Sequence, residues 1–208
     1  MLVLHRPEPG GGATAALFGL GLLGGRIAGS LRAAGYAVAA GPPFSWGSPP
    51  GRKGELAAIR AVLAALPGRL DVLWSAGKGG FGMDRAQADR EYADFCDVLD
   101  LARSLAADRP GGGARFHLVS SAGGLFEGQR HVTPRSLPAP RRPYGELKLR
   151  QERALAAAGA LCGLVYRPSS VFGLPRSGGR MGLIPTLLAN GARYRVTTIF
   201  GAPDTLRD

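Results

Sequence analysis

Ala15-Ala16-Leu17-Phe18-Gly19-Leu20-Gly21-Leu22-Leu23-Gly24 is the stretch that decides how this chain folds. Its first four residues read as a short buried strand. Gly-x-Gly-x-x-Gly follows at once, and Leu23, Ile27 and Leu31 then recur at helical spacing until Gly35 stops the run. Strand, glycine turn and helix in that order place backbone N–H groups at a helix N-terminus, where they can hold a pyrophosphate. Glycines are needed because a side chain would block the approach. Gly19, Gly21, Leu22, Leu23 and Gly24 are therefore candidate dinucleotide-binding residues, with a mere tight turn as the alternative.

Outward from this turn, strand-like runs alternate with helical patterns. Residues 1–12 end in Glu-Pro-Gly-Gly-Gly and read as a loose leader. Strands are expected at 36–40, 70–74, 115–120, 161–166 and 195–200, and helices at 55–66, 84–106, from Pro143 onward, and at 181–189. Pro143 suits the first helical position. This alternation implies an α/β fold, a doubly wound parallel sheet of Rossmann type with helices on both faces. Three parts follow: a flexible leader at 1–13, a dinucleotide-binding domain at 14–174, and the start of a substrate-binding region at 175–208.

An acidic residue at the end of the second strand usually binds the ribose hydroxyls of NAD. Here Ala40-Gly-Pro-Pro-Phe44 has no carboxylate, and none occurs before Glu55. Arg52 and Lys53 lie beyond a Pro/Gly-rich loop and are placed to face a 2′-phosphate, which tilts the choice between NAD and NADP toward NADP. Two solvated loop cations are the equal alternative. Ser75-Ala76-Gly77-Lys78-Gly79-Gly80 opens the carboxyl end of a strand, where doubly wound sheets bind ligands, so Ala76 and Gly77 join the cofactor candidates. Lys78 there is either a phosphate contact or a plain exposed lysine.

Composition narrows the class. With 208 residues, 45% hydrophobic content and 33 glycines, the chain suits a soluble α/β protein. Its net charge of +11 rests on 26 basic residues spread along the sequence. Without a block of Lys/Arg interleaved with aromatics, no nucleic-acid groove is indicated, and the excess fits coding bias or anionic small ligands. Cys96 and Cys162 lie in apolar contexts without metal-like spacing, so reduced core cysteines, a cytoplasmic location and no metal site are expected. The apolar run 13–27 is broken by glycines and falls short of a membrane span.

Tyr144-Gly-Glu-Leu-Lys148 carries the chemistry. A tyrosine and a lysine four apart share one helix face. A fixed cation favours phenolate and makes the phenol a useful acid or base. Upstream, Leu118-Val119-Ser120-Ser121 reads as a strand ending in hydroxyls. The intervening residues, among them the Pro-rich 134–143, return the chain over that strand end. A Ser-Tyr-Lys proton-transfer site is the expectation; for Ser120 and Ser121 the alternative is capping of backbone groups.

Together the glycine turn, Ser120-Ser121-Ala-Gly-Gly-Leu-Phe126, Pro143-Tyr-Gly-Glu-Leu-Lys148, Arg167-Pro-Ser-Ser-Val-Phe-Gly173 and the tail from Phe200-Gly201 to Arg207-Asp208 resemble the extended short-chain dehydrogenase/reductases, the NAD-dependent epimerase/dehydratases. The resemblance implies Tyr144 as general acid/base and Lys148 as the residue that holds the nicotinamide ribose. Ser121 or Ser120 would polarise the substrate oxygen, and Arg167, Pro168 and Ser170 would lie by the nicotinamide. It further implies hydride transfer on a nucleotide-sugar, dimerisation through two helices as a family habit, and contacts to a diphosphate from Arg180 or Arg193.

Four departures stand out. The glycine spacing is shorter than the family's usual Gly-x-x-Gly-x-x-Gly. No adenine-binding aspartate strand is recognisable between Pro50 and Leu66. Ala122 stands four before Phe126, where many members carry serine or threonine. Family members continue past the Arg-Asp at the chain end, so a C-terminally truncated substrate region is expected. A reductase of small carbonyl compounds, or a non-catalytic NAD(P)-binding regulator or truncated relic, are the other readings.

Overall fold

The computed structural model describes residues 1–9, 11–47, 50–77, 79–80, 82–109, 113–159, 161–173 and 183–197. Among them lie the strands β1 (Leu2–Arg6), β2 (Ala13–Phe18), β3 (Ala37–Ala40), β4 (Arg69–Trp74), β5 (Ala114–Val119) and β6 (Cys162–Tyr166). The helices are α1 (Leu22–Ala33), α2 (Arg52–Ala64), α3 (Arg85–Ala107), α4 (Ala122–Leu125), α5 (Pro143–Ala156) and α6 (Leu183–Gly191).

The strands form one sheet in the order β3-β1-β2-β4-β5-β6. β2, β4, β5 and β6 run parallel. β1 is antiparallel to both β2 and β3, so β3 points the same way as β2. The doubly wound α/β architecture is present, with one reversed strand set into a parallel sheet.

That reversed strand corrects the reading of residues 1–12 as a loose leader. Val3 and Leu4 are fully buried, opposite Ala16 and Ala15 in the ladder. His5 Nδ1 lies 2.9 Å from Thr14 Oγ1, and the Arg6 guanidinium sits 5.0 Å from the centre of the Tyr36 ring. Leu-Val-Leu is a good strand former, and the Pro/Gly stretch after it reverses the chain into a hairpin with β2. There Gly11 N–H donates to the Glu8 carbonyl at 3.1 Å.

All six residues of β2 are buried, as a strand covered on both faces requires. On one face α1 brings Ala28, Ile27 and Leu31 against Leu4, Leu17 and Leu73. On the other, Ile59 and Leu63 of α2 and Phe95, Val98 and Leu105 of α3 pack with Phe18, Trp74 and Phe116. Burying each of these large side chains contributes about 1.5–3 kcal/mol. The sequence also sets the helix starts. Asp84 caps α3 by accepting from Gln87 N–H at 2.7 Å, while its own N–H donates to Gln87 Oε1 at 3.1 Å. Pro143 opens α5, where a missing N–H costs nothing.

Two expectations shift. α2 begins at Arg52, three residues before the expected start. Residues 195–197 are not strand, and the rest of the expected 195–200 strand lies outside the described residues, as do Lys78, Arg180 and the tail at 200–208.

Candidate active site

The carboxyl ends of β2 and β4 face each other across the glycine turn. Gly19 has φ +93°, and a β-carbon there would stand 2.5 Å from Ala76 N, so only glycine lets the turn lie on the loop after β4. A β-carbon at Gly24 would stand 1.9 Å from the Gly19 carbonyl oxygen and 2.5 Å from Ser75 Oγ. That contact seats α1 against the turn, and Ser75 Oγ secures it by donating to the Gly19 carbonyl at 2.8 Å. Gly21, at the N-cap of α1, is different: nothing lies within 4 Å of where its β-carbon would be. Two glycines close the turn and the middle one leaves it open.

The open side is a cavity of about 720 Å³. Gly19 and Gly21 form one wall, Ala76 and Gly77 another, and Trp46, Glu91 and Asp94 a third. Four of the predicted cofactor residues are thus brought together. Leu22 and Leu23 start α1 and are half-buried. The cavity opens beside Gly21, the N-cap of α1, and has an aromatic side wall, which fits a dinucleotide. Trp46 is 47% exposed and packs edge-on against Phe44 and Trp74.

Tyr144 and Lys148 occupy the first turns of α5. A β-carbon at Gly124 would stand 3.0 Å from the Tyr144 ring and one at Gly79 3.4 Å, so the ring is held between α4 and the loop after β4. The Lys148 ammonium is 5.7 Å from the centre of that ring. It is almost fully buried and donates to Gln151 Oε1 at 3.1 Å and toward Glu91 Oε1 at 3.5 Å. Burial pushes the Glu91 carboxyl above the usual carboxylate range, and the opposite charge of Lys148 offsets this only in part. Glu91 lines the cavity, so the lysine reaches it through a carboxylate.

The two serines at the end of β5 have different roles. Ser121 Oγ accepts from Gly124 N–H at 3.1 Å and caps α4. Ser120 is buried, and its hydroxyl has no hydrogen-bond partner among the described residues. Ser120 N–H donates to the Tyr166 carbonyl at 2.8 Å and Ala122 N–H to the Pro168 carbonyl at 3.0 Å. These bonds bring Pro168 beside the serine loop. Arg167 is held by Glu152 through two hydrogen bonds of 2.9 and 2.6 Å, and Ser170 is exposed.

Arg52 is corrected outright. It is a buried ion-pair hub rather than a loop cation facing a 2′-phosphate: 5% exposed, it lies 2.8 Å from Asp94 and 3.2 Å from Asp97. It also donates to the Ser45 carbonyl, with its guanidinium 4.1 Å from the centre of the Phe44 ring. The start of α2 at Arg52 places it against α3, where both carboxylates wait. Lys53 beside it is exposed.

Sequence reasoning passed over Trp46, Glu91 and Asp94. Glu91, Asp94, Val98, Ala102 and Leu105 follow one another at helical spacing on α3, and from Asp94 onward all are buried. Two carboxylates continuing an apolar stripe were the available signal. Among the described residues no group of three or more His, Cys, Asp or Glu is placed to hold a metal ion, and no helix is long and apolar enough to cross a membrane.

A doubly wound sheet with an open glycine turn at a helix N-terminus defines a nucleotide-binding protein of Rossmann type. More narrowly, the chain belongs to the NAD dependent epimerase/dehydratase family, whose model it matches over residues 19–208. Among solved structures it is similar to the UDP-glucose 4-epimerase of Thermotoga maritima with UDP-glucose, at 18% identity and TM-score 0.70, covering 93% of this chain and 67% of that one. It is also similar to the RMD protein of Pseudomonas aeruginosa complexed with NADPH, at 21% identity and TM-score 0.56, covering 76% and 53%. A third is the UDP-glucose 4-epimerase of Brucella ovis in complex with NAD, at 20% identity and TM-score 0.54, covering 67% and 46%. The chain thus spans about half to two thirds of the length of these proteins. None of the curated protein sequences matches it.

Proposed function

We propose that the chain carries the cofactor-binding and proton-transfer half of an NAD(P)-dependent epimerase or dehydratase acting on a nucleotide-sugar. The observation that carries this reading is the open position at Gly21, set in the same cavity wall as Gly19 and facing the loop that also holds the Tyr144 ring. The solved structures it resembles include ones with UDP-glucose, NAD and NADPH.

A bound nicotinamide would accept and return a hydride at a carbon bearing oxygen. The chain's own residues would do the rest. Free N–H groups of the first turn of α1 would bind the diphosphate, and Trp46 would exclude water from one side of the ligand. Tyr144 would take the proton from the substrate hydroxyl as the carbonyl forms and return it in the reverse step. Lys148 would hold ribose hydroxyls and favour the phenolate. Of the two serines, Ser121 accepts from Gly124 N–H and keeps its O–H proton to donate to a substrate oxygen, whereas the Ser120 hydroxyl is buried. Sequestration of Arg52 takes away one argument for NADP, and either dinucleotide suits the cavity.

A second reading, a dinucleotide-binding regulator without turnover, is favoured by the engagement of Lys148 with Glu91. Supplying NAD+ or NADP+ and UDP-glucose while following sugar conversion separates the two. Tyr144→Phe should lower turnover at least 100-fold while cofactor affinity stays within about twofold. Cofactor binding without any turnover in the parent protein would favour the regulator.

A further inference from the structure

Glu91 has no part in the proton transfer just described, yet it stands between that machinery and the cavity. Its carboxylate reaches Lys148 on one side, and on the other it lies close to Gly77, where a β-carbon would come within 2.8 Å of Oε1. The side chains of Lys148 and Glu91 are 5% and 11% exposed, so water screens this pair little.

We propose that Glu91 is a positioning residue that masks Lys148 in the free protein, so that dinucleotide binding has to exchange the carboxylate for the ligand's ribose hydroxyls. This rests on the reading of Lys148 as the ribose-holding lysine. Two consequences follow from charge alone. While Glu91 is ionised, the pair presents almost no net positive charge to the cavity, and a ligand diphosphate meets a wall carrying both Glu91 and Asp94. Once Glu91 is protonated, the ammonium is left to Gln151 and to whatever enters.

The charged groups around Glu91 are few among the described residues. Lys148 faces it from α5, with Gln151 beside it, and Asp94 lies one turn along α3. Asp94 is itself engaged by Arg52 of α2 and by Gly47 N–H at 2.9 Å. Among the described residues of the loop after β4, Gly77 brings its backbone close to it. Arg90 also lines the cavity. Burial raises the proton affinity of Glu91, so protonation begins at milder acidity than for an exposed carboxylate. The sign is therefore fixed: affinity for an anionic dinucleotide rises as pH falls toward the Glu91 transition.

The test is an NADH titration, read by tryptophan fluorescence, of the parent protein and Glu91→Gln from neutral into the mildly acidic range. The parent should bind roughly 3–10-fold more tightly at the acid end. Glu91→Gln should bind tightly throughout, with no such slope. Parallel slopes, or weaker binding by Glu91→Gln at every pH, would overturn the proposal. If Glu91→Gln does not fold, Glu91→Ala gives the same comparison. If NADH binds neither protein, the dinucleotide reading falls. The masking itself is then decided by acetylation of Lys148 against the exposed Lys53, followed by peptide mass spectrometry. Faster Lys148 modification in Glu91→Gln supports masking, and equal rates refute it.

Discussion

Arg52 shows how one side chain can be legible in the sequence and still be given the wrong task. A basic residue after a Pro/Gly loop resembles a phosphate contact because loops carry binding groups. The buried partner, Asp94, lies 42 residues further on, and nothing local announces it. Losing one member of such a pair leaves buried charge uncompensated, so Arg52→Ala should cost about 3–5 kcal/mol in urea denaturation. The ratio of NADPH to NADH affinity should not change. Selective loss of NADPH binding at unchanged stability would restore the phosphate role. Other residues were read from mechanisms that act locally. Gly19 and Gly24 follow from close backbone approach, Pro143 from its fixed φ, and the shared face of Tyr144 and Lys148 from helical period. Glu91 was missed because a carboxylate on a helix is solvated far more often than it is buried.

At the scale of elements, the alternation of apolar runs placed β2 to β6 and the helices α1 to α3, with ends displaced by a few residues. End positions depend on caps and on tertiary contacts, as the capping box of Asp84 and Gln87 illustrates. β1 was not legible because five residues before a Pro/Gly turn carry too little pattern, and their partner β2 had been assigned to a parallel sheet. The structure gives β1 an interior place, second from the edge, with ladder partners on both sides. Deleting residues 1–9 should therefore abolish cooperative thermal unfolding and sharply reduce soluble yield. Val3 and Leu4 alone contribute about 1.5–3 kcal/mol each, against a total stability of roughly 5–15 kcal/mol. A truncated protein melting as the parent does would show that β1 is dispensable.

For the molecule as a whole, the fold delivers the glycine turn, the loop after β4 and the start of α5 to one end of the sheet. Open α/β sheets bind ligands at the carboxyl ends of their strands for this reason: loops from separate strands converge there while the sheet holds them in place. Gly21 permits a direct trial of that arrangement. Its φ of −68° lies outside the left-handed region, and a β-carbon would meet nothing within 4 Å. Gly21→Val should keep the fold, at a cost of about 1 kcal/mol for a poorer N-cap, while filling the cradle. The decisive measurement is quenching of tryptophan fluorescence by NADH, with Trp46 in the cavity wall as reporter, in the parent protein and in Gly21→Val. Saturable quenching in the parent and affinity at least tenfold weaker in the folded variant is the predicted result. No saturable quenching in the parent, or equal affinity in the two proteins, would contradict it.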